Sequence, residues 1–339
     1  MSLPTPSVII QGIGSFAPEN VVTNQDLEQQ MDTSDEWIRT RTGIRERRIA
    51  PADVHTSDMA VEAGKRAIDN AGLQPGDIDL LIVATMSPDL PFPSTACLVQ
   101  AKLGLRTIPS FDITAACSGF IYLQEIGANM VRSGPYKHAL IIGAEKMSAI
   151  VDWEDRGTCV LFGDGAGACV LSKSQQLHVG ILQNILGGDG SNPNLLFMPG
   201  GGTVQRPTTE SIVNRAHYLK MNGKEIFKHA VRVMGQATLD VMQQNGVQSK
   251  DIALVVPHQA NIRIIDAIAA RLDVPKEKFL INVDRFGNTS AASIPIALDE
   301  AYRNRRFTEG DYILCVAFGA GLTWGASLIK WTKTASRGQ

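Results

Sequence analysis

The chain has 339 residues, of which 44% are hydrophobic and 19% are charged, and its net charge is −2 at pH 7. This balance is typical of a globular protein with about two domains, and it excludes a chain that is disordered throughout. A charge so close to neutral excludes an overall attraction to nucleic acid or to a membrane surface, so a charged partner has to be recognised by a local patch.

No apolar stretch approaches the ~20 residues that a membrane span requires, and the first residues, MSLPTPS, lack the apolar core of a signal peptide. The five cysteines are odd in number and lie mostly in apolar runs, which is typical of free thiols in a reducing compartment. The sequence therefore predicts a cytoplasmic protein that neither enters a membrane nor binds nucleic acid.

The predicted elements form two similar series along the chain. Residues 71–85 (AGLQPGDIDLLIVAT) resemble residues 245–259 (NGVQSKDIALVVPHQ), and Gly72 is matched by Gly246, 174 positions later. In each copy a helical run ends at a glycine suited to a left-handed C-cap, and a buried-looking strand follows. The chain is therefore predicted to contain an internal duplication.

A second pair of similar segments, residues 162–172 (FGDGAGACVLS) and 318–330 (FGAGLTWGASLIK), extends the duplication. Strands that alternate with helices in two related series predict an α/β fold with α/β/α/β/α layers and two similar mixed sheets. The predicted halves are residues 1–175 and 176–339, and ligands are expected where strand ends meet. Residues 180–220 are the least regular part of the chain and are expected to form an inserted loop.

The first motif whose residues could take part in a reaction is TAACSGF at residues 114–120, between an apolar run and a helical run. The start of a helix lowers the pKa of a thiol and favours the thiolate, and the small neighbours of Cys117 leave room for a substrate. Cys117 is therefore the predicted nucleophile. A buried cysteine is otherwise most often a small core residue, and this assignment is made for Cys97, Cys159, Cys169 and Cys315.

Two later motifs supply polar groups that could work with this thiol. His258 ends an apolar run in VPHQAN, and Asn288 lies in the glycine-flanked segment RFGNTSAAS. Alone, His258 would most often be structural and Asn288 would be a turn residue. Together with Cys117 they form a nucleophile, a proton-handling group and a neutral amide donor, a set that suits thioester chemistry.

Hydrolytic enzymes use related sets of residues. The small residues around Cys117 resemble the nucleophile elbow of α/β-hydrolases, which needs an acid to orient its histidine. No Asp or Glu stands at a convincing strand end between Cys117 and His258. Papain-like proteases use Cys, His and Asn in this order, but no papain-type sequence surrounds Cys117, and the duplicated pattern fits neither fold.

Neither a cofactor nor a metal is expected. The glycine-rich segment GIGSFAP lacks a third glycine and runs into Pro18, and FGDGAG leads into a strand-like run instead of a helix. Both are poor dinucleotide fingerprints. No His and Cys cluster has the spacing of metal ligands.

With these residues in view, the chain resembles the β-ketoacyl-acyl carrier protein synthase III family, the initiating condensing enzymes of bacterial fatty-acid synthesis, which have a duplicated thiolase-type fold. The resemblance runs over nearly the full length, with all motifs in order. They are TSDEWIRTRTGIRERRIA (33–50), FPSTAC (92–97), TAACSGF (114–120), DRGTCVLFGDGAGA (155–168), MNGKEIFK (221–228), VPHQANIRII (256–265), RFGNTSAASIPIAL (285–298) and AFGAGLTWG (317–325).

The resemblance implies an acyltransferase reaction in two halves, with CoA thioesters as substrates. An acyl-CoA, most simply acetyl-CoA, acylates Cys117, and malonyl-acyl carrier protein then binds in the same tunnel. His258 and Asn288 would stabilise the enolate that forms as CO₂ departs, because hydrogen-bond donors aimed at the oxygen favour it. Attack on the acyl-cysteine gives a 3-ketoacyl-acyl carrier protein. The implied oxyanion hole is made of the backbone N–H groups of Cys117 and Ala320.

The resemblance also implies binding residues and a homodimer. The CoA path would be lined by Thr33, Trp37, Arg41, Arg156, Phe227 and Asn261. The adenine would lie between Trp37 and Arg156, and Lys224, where relatives have asparagine, is expected to meet a CoA phosphate. Phe92 matches a position that crosses the dimer interface and closes the acyl pocket. The candidates for contact with the acidic carrier protein are Arg263, Lys228 and Arg271; for the last two a solvated surface is an equal alternative.

Other enzymes with the same three residues stay open as alternatives. They are a long-chain condensing enzyme, a polyketide-type synthase and a cysteine-dependent acyltransferase that does not condense. A thioester hydrolase is the alternative from a different class. A degradative thiolase is disfavoured, because that family uses a second cysteine near the C-terminus and Cys315 lies within a strand-like run.

Overall fold

The computed structural model describes residues 6–333, so residues 1–5 and 334–339, at the outer ends of the two predicted halves, lie outside the described residues. In chain order the strands are β1 (Ser7–Phe16), β2 (Val21–Thr23), β3 (Glu46–Arg48), β4 (Leu80–Ala84), β5 (Ser110–Ile113), β6 (His138–Glu145), β7 (Gly165–Ser174), β8 (Gly180–Gly188), β9 (Leu196–Phe197), β10 (Lys220–Met221), β11 (Ile252–Pro257), β12 (Tyr312–Gly319) and β13 (Thr323–Lys330). The helices are α1 (Asn24–Glu28), α2 (Asp35–Thr42), α3 (Thr56–Ala71), α4 (Thr95–Leu103), α5 (Gly119–Ser133), α6 (Thr209–Val213), α7 (Gly223–Gln244), α8 (Ile262–Leu272), α9 (Val283–Phe286) and α10 (Ser293–Arg303).

Most of the longer strands belong to two mixed sheets. The first has the order β1-β7-β6-β4-β5, in which β4 is parallel to both of its neighbours and β7 is antiparallel to both of its own. The second has the order β11-β12-β13-β8, in which β11 and β12 are parallel and the other pairs are antiparallel. The prediction of an α/β fold with two similar mixed sheets is confirmed.

Apolar contacts place the helices in three layers around the two sheets. Between the sheets lie α5 and α10, whose Phe120 and Ile294 share one core with Ile82 of the first sheet and Val256 of the second. The other face of the first sheet packs against α3 and α4, and the other face of the second packs against α7 and α8. Because both faces are covered, a strand such as β4 is apolar and buried along its whole length.

The internal duplication reappears in the backbone at the centre of the molecule. Ala116 has a φ of 48° and Ser290 has a φ of 49°, and the two residues are separated by the same 174 positions as the sequence repeat. Each lies in a short 3₁₀ turn that leads into a buried helix, α5 or α10. We call Ala116–Ser118 the first elbow and Ser290–Ala292 the second elbow, and the two elbows contact each other.

The ends of β6 and β12 pack on these elbows. The two strands are eight residues long and are also related by the repeat. A Cβ on Gly319 of β12 would lie 2.7 Å from the Cys117 nitrogen, and a Cβ on Gly143 of β6 would lie 2.3 Å from the Ala291 carbonyl oxygen. Only glycine permits so close an approach, so these strands can confine the left-handed turns.

Residues 180–220 differ from the expected inserted loop. Gly180–Gly188 forms β8, which pairs antiparallel with β13 at the edge of the second sheet. The prediction was wrong here because a half-buried edge strand with terminal glycines has only a weak apolar pattern. The rest of the segment contains only β9, α6, β10 and a 3₁₀ turn at Pro193–Leu195.

The predicted boundary between residues 175 and 176 falls in the connection from β7 to β8, between a strand of the first sheet and a strand of the second. Whether the two halves behave as separate domains stays a prediction. Among residues 6–333, no helix is both long and apolar enough to cross a membrane.

Candidate active site

The three predicted chemical residues meet at one cavity of about 650 Å³. Cys117 lies in the first elbow, His258 directly follows β11, and Asn288 lies two residues before the second elbow. Each side chain lines the cavity and is largely buried, with exposed fractions of 4%, 4% and 7%. The site therefore needs both sequence repeats, because neither half contains all three groups.

Cys117 is an uncharged thiol in this environment. Burial raises its pKa to about 12, and the nearby Glu145 acts in the same direction, whereas hydrogen bonds from the side chains of Ser290 and Asn288 act in the opposite direction. The expectation that the helix start lowers this pKa is therefore wrong for the ligand-free protein. The loss of hydration around a buried sulfur outweighs the favourable end of α5. Of the four cysteines assigned to the core, Cys159, Cys169 and Cys315 are buried, but Cys97 is exposed, so the assignment was wrong for Cys97.

The turn between β12 and β13 is tied to the first elbow. The Thr323 hydroxyl oxygen lies 3.0 Å from the Ala115 carbonyl oxygen and 2.9 Å from that of Ala320, and it accepts a hydrogen bond from the Ser118 hydroxyl at 2.8 Å. Ala320 lies in this turn and directly follows Gly319, the glycine that packs on the Cys117 nitrogen. Its predicted role, with Cys117, as an oxyanion hole stays a prediction.

His258 is held as a neutral imidazole. Its backbone N–H donates to the Val316 carbonyl at 2.8 Å, and its Nδ1 lies 2.6 Å from the Ser293 hydroxyl. Burial lowers the pKa of His258 to about 3, so the ring stays uncharged near neutral pH. Sequence reasoning did not identify Ser293 as its partner, although Ser293 is the last residue of the motif that contains Asn288.

Asn288 is fixed at both its backbone and its side chain. Its N–H donates to the Leu161 carbonyl at 2.8 Å, and its carbonyl accepts from the Gly163 N–H at 3.1 Å. Its Oδ1 accepts a hydrogen bond from the Ser290 N–H at 2.8 Å. Because this bond occupies the carbonyl end of the amide, the NH₂ group is left as the donor for the cavity.

Glu145 is the functional candidate that sequence reasoning missed. It is the last residue of β6, it is fully buried, and its Oε1 accepts a hydrogen bond from the Ser290 hydroxyl at 3.0 Å. The statement that no acid stands at a strand end between Cys117 and His258 is therefore wrong. The apolar run HALIIGAE, which ends in a carboxylate, was the available signal. Glu145 does not orient His258, whose Nδ1 contacts Ser293, so a hydrolase-type triad is still not formed.

Four of the predicted CoA residues, Trp37, Arg41, Phe227 and Asn261, line the same cavity as the three chemical residues. The guanidinium groups of Arg41 and Arg156 lie over the Trp37 ring, at 4.9 Å and 5.5 Å from its centroid. Arg156 also donates to Asp32. An adenine between Trp37 and Arg156 would therefore replace an existing cation–π contact.

Thr33 and Arg156 are not among the residues that line the cavity. The Thr33 hydroxyl is buried, and within the described part of the chain it has no hydrogen-bond partner.

Only two of the three predicted carrier-protein residues line the cavity. Lys228 and Arg263 line the cavity, as does Lys224. Lys228 also forms an ion pair with Glu225 at 2.8 Å. Arg271 instead donates to Gln236 at 3.0 Å, and it does not line the cavity.

Phe92 is 84% exposed, and its side chain does not line the cavity of its own chain. Within residues 6–333, no group of three or more His, Cys, Asp or Glu side chains is placed to hold a metal ion.

Two family profiles match this chain. The profile described as 3-oxoacyl-[acyl-carrier-protein (ACP)] synthase III matches residues 111–190, and its C-terminal counterpart matches residues 242–331. The first match contains Cys117, and the second contains His258 and Asn288.

Full-length relatives and solved structures extend the similarity to nearly the whole chain. The β-ketoacyl-[acyl-carrier-protein] synthase III of Caldanaerobacter subterraneus subsp. tengcongensis is 53% identical over 324 residues, which are 96% of this chain and 98% of the relative. The structure of 3-oxoacyl-[acyl-carrier-protein] synthase III from Aquifex aeolicus VF5 aligns with a TM-score of 0.88 and 48% identity, covering 96% of this chain and 100% of that chain. The priming β-ketosynthase from the R1128 polyketide biosynthetic pathway aligns with a TM-score of 0.89 and 35% identity, covering 97% and 98%.

Replacing His258 by Gln should make the protein less sensitive to acid. The unfolded chain, with a histidine pKa near 6.5, takes up a proton that the buried ring excludes until about pH 3, so His258 removes stability as the pH falls from 6.5 towards 3. The loss is at most about 1.4 kcal/mol per pH unit, or about 2 kcal/mol between pH 6.5 and 5. Urea unfolding at pH 7.5 and 5.0 measures the free energy of unfolding of both proteins. The value for the unmodified protein minus the value for His258→Gln should be lower at pH 5.0 by about 2 kcal/mol.

The control for this experiment is His178→Gln, which changes an exposed histidine. A pH-dependent loss of the same size in His178→Gln would show that the effect does not come from the burial of His258. If the difference in free energy of unfolding between His258→Gln and the unmodified protein does not change with pH, His258 is not buried in its neutral form.

Proposed function

This chain belongs to the 3-oxoacyl-[acyl-carrier-protein] synthase III family, and we propose that it starts type II fatty-acid synthesis from an acyl-CoA and malonyl-acyl carrier protein. It is a condensing acyltransferase of fatty-acid biosynthesis, in keeping with relatives about half identical over nearly their whole length. The observation that carries the detailed proposal is the convergence of Cys117, His258 and Asn288 on one cavity that Trp37 and Arg263 also line.

In the first half-reaction, Cys117 takes an acyl group from CoA, and acetyl is the proposed starter. The sulfur attacks the thioester carbon, and the oxygen gains negative charge. Backbone N–H groups of Cys117 and Ala320 are proposed to receive that charge, since donors fixed in advance stabilise an oxyanion best. The close packing of Gly319 on the Cys117 nitrogen supports this choice, because it places the end of β12, directly before Ala320, beside the backbone of Cys117.

In the second half-reaction, malonyl-acyl carrier protein loses CO₂, and the resulting carbanion attacks the acyl-cysteine. His258 and Asn288 are proposed to donate hydrogen bonds to the thioester oxygen as the enolate forms. Burial keeps His258 neutral, and the Asn288 amide has its carbonyl end occupied. Two neutral donors can stabilise the enolate without holding a charged product. The buried side chain of Glu145, which lies near Cys117, does not line the cavity.

The two substrates are proposed to enter by the same cavity. The CoA adenine would stack on Trp37, with Arg156 on its other side and Thr33, Arg41, Phe227 and Asn261 along the path. The acidic carrier protein would meet Arg263 and Lys228, which line the cavity. Arg271 is a weaker candidate because it is engaged with Gln236 on α7. No separate cofactor is needed, since the CoA thioester is a substrate and loss of CO₂ drives the condensation.

A homodimer is proposed on the basis of Phe92. An aromatic side chain that is 84% exposed, beside Leu90 at 47%, forms an apolar surface that favours burial against a partner. In a dimer, Phe92 would close the acyl pocket of the other copy and favour short starters. A cytoplasmic location is proposed in addition, and the five cysteines, all present as free thiols, are compatible with it.

A polyketide-type priming role is the second candidate, because the R1128 priming β-ketosynthase shares 35% identity and nearly the whole fold with this chain. The higher identity to fatty-acid enzymes supports the first candidate. The two differ in the starter that is loaded, so the same experiment tests both.

The protein is exposed separately to acetyl-, isobutyryl- and octanoyl-CoA and measured by intact-protein mass spectrometry. Acetyl-CoA should give an acetyl adduct, which we assign to Cys117. Malonyl-acyl carrier protein should then discharge the adduct into a ketoacyl product. Cys117→Ala should abolish the adduct, because no nucleophile is left. His258→Ala and Asn288→Ala should keep the adduct and slow its discharge by about 100-fold, the typical cost of one oxyanion donor.

Several outcomes would contradict these assignments. Adduct formation in Cys117→Ala would remove Cys117 as nucleophile, and unchanged discharge in both other variants would remove His258 and Asn288. Loading of only longer or branched chains would favour the polyketide-type role. Release of free acid without malonyl consumption would identify a thioester hydrolase.

Two variants should separate the CoA and carrier-protein contacts. Arg263→Glu should raise the KM for malonyl-acyl carrier protein by about 10-fold, through charge repulsion, and leave the acyl-CoA half-reaction nearly unchanged. Trp37→Ala should raise the KM for acyl-CoA and affect the carrier-protein step less. Steady-state kinetics with each substrate varied in turn measures both. Lys65→Glu, at an exposed lysine of α3 that does not line the cavity, is the charge control. Equal effects on both substrates would contradict the assignment.

Phe92→Glu should shift the protein from dimer to monomer, because it places a charge at the proposed interface. Sedimentation velocity at micromolar concentration measures the change. Leu177→Glu, at another exposed apolar side chain, is the control and should leave the dimer intact. A monomeric unmodified protein, or an unaffected Phe92→Glu dimer, would exclude this interface.

A further inference from the structure

The buried carboxyl group of Glu145 has no part in the proposed reaction, although several hydrogen bonds hold it in place. Its Oε2 accepts from the Ser87 hydroxyl at 2.6 Å, the Met86 N–H at 3.0 Å and the Ser87 N–H at 3.1 Å. Its Oε1 lies 3.0 Å from the Ser290 Oγ in the second elbow. Burying a carboxyl group is costly without such partners. One oxygen is thus anchored to the segment that follows β4, and the other holds Ser290.

Ser290 in turn fixes the orientation of the Asn288 side chain. Its backbone N–H donates to the Asn288 Oδ1 at 2.8 Å. This bond occupies the carbonyl end of the amide and leaves the NH₂ group as the donor. The direction of the Ser290 N–H therefore sets the direction of the Asn288 NH₂ group.

The backbone of Ser290 needs support to keep this direction. Its φ is 49°, a left-handed conformation that is unfavourable for a residue with a Cβ. Two residues of β6 supply the support, since Gly143 lies against the Ala291 carbonyl and Glu145 holds the Ser290 hydroxyl. The end of one strand thus holds the second elbow by its backbone and by its side chain.

We propose that Ser290 and Glu145 are positioning residues for the second half-reaction, in which they aim the Asn288 NH₂ group at the thioester oxygen of the malonyl substrate. This inference rests on the proposed role of Asn288 in stabilising the enolate. A donor stabilises a developing charge best when its direction is fixed before the reaction. No proton moves along these bonds. A hydroxyl group can donate or accept, so Ser290 keeps its bond to Glu145 whether the carboxyl group is ionised or neutral.

The first elbow provides an internal comparison. Ala116 has nearly the same φ, 48°, and lies 174 positions before Ser290. Its side chain carries no hydroxyl group, and Thr114 stands two residues before it, where the second copy has Asn288. The hydroxyl support therefore accompanies the amide that has to be oriented. Because alanine adopts this conformation in the first elbow, Ser290→Ala should fold.

Ser290→Ala should separate the two half-reactions. Acylation of Cys117 by acetyl-CoA should be nearly unchanged, because it does not use the Asn288 donor. Discharge of the adduct by malonyl-acyl carrier protein should slow by about 10-fold, since the donor remains but is no longer held in one direction. Rapid-quench mass spectrometry under single-turnover conditions measures both rates. Equal slowing of both half-reactions, or unchanged discharge, would overturn the proposal.

A double variant tests whether Ser290 acts through Asn288. In Asn288→Ala the amide is gone, so the addition of Ser290→Ala should slow discharge no further. If the two effects multiply instead, Ser290 acts on another group and the proposal fails.

Two variants of Glu145 test whether its hydrogen bond or its charge is needed. In Glu145→Gln the amide oxygen can accept from the N–H groups of residues 86 and 87 while the NH₂ group donates to the Ser290 hydroxyl, so discharge should stay close to normal. Glu145→Leu removes the bond to Ser290 and should slow discharge as Ser290→Ala does. Equal loss in both variants would show that the charge is required and would overturn the positioning role of Glu145.

Ser172→Ala is the matched control. Ser172 is also fully buried, and its hydroxyl also meets a residue at an end of β6, the Nδ1 of His138 at 2.7 Å. His138 is the first residue of that strand and Glu145 is the last. Ser172→Ala should lower the melting temperature and leave the ratio of the two half-reaction rates unchanged. The same change of ratio in both serine variants would assign Ser290 a purely structural role.

NMR of protein with ¹⁵N-labelled asparagine side chains gives a readout that needs no substrate. The NH₂ resonances of Asn288 are those that vanish in Asn288→Ala. They should shift and broaden in Ser290→Ala, because the amide is no longer fixed, and stay in place in Ser172→Ala. Unchanged resonances in Ser290→Ala would overturn the proposal. If malonyl-acyl carrier protein fails to discharge even the unmodified protein, the proposed function fails, while this comparison still decides on the positioning of Asn288.

Discussion

Ala116 and Ser290 have a left-handed backbone conformation, and the turns that contain them contact each other in the middle of the molecule. The rest of the fold is arranged around this contact. Neither conformation is favourable for a residue with a Cβ, and each is held by a strand end that approaches closely. Gly319 confines the turn that contains Cys117, and Gly143 confines the turn that follows Asn288. The strain in both turns is thus balanced by burial on every side, and the reacting groups of the two halves face one cavity.

The three chemical residues present uncharged groups to the cavity. Cys117 and His258 are uncharged when buried, and Asn288 presents an amide. Two buried ionisable side chains lie behind these residues. Glu145 lies behind Ser290, and the fully buried Arg47 donates to Asn24 and to the carbonyls of Val22 and Val160, with no carboxylate partner among residues 6–333. A neutral surface in a place with little water makes hydrogen-bond donors effective for a charge that exists only during the reaction.

The parts of this arrangement that depend on local pattern could be predicted from the sequence. Apolar runs placed Cys117 and His258 near strand ends, the glycine-flanked segment placed Asn288 in a turn, and the repeat predicted two similar sheets. The parts that depend on distant contacts could not. Ser293 and Glu145 acquire their roles from partners far away in the chain, and the raised pKa of Cys117 reflects burial that no local pattern encodes. The edge strand β8 was missed because its pattern is only half apolar.

The repeat makes Glu145 and Gly319 equivalent positions, since each is the last residue of an eight-residue strand, β6 or β12. Beside the first elbow that position is empty of side chain, and a cavity opens around Cys117. Beside the second elbow the same position is filled by a carboxyl group, and Ala291 stands where the other copy has its cysteine. The two copies of the repeat therefore contribute differently to the site. The first copy provides the nucleophile and the second provides a filled, alanine-containing turn that packs against it.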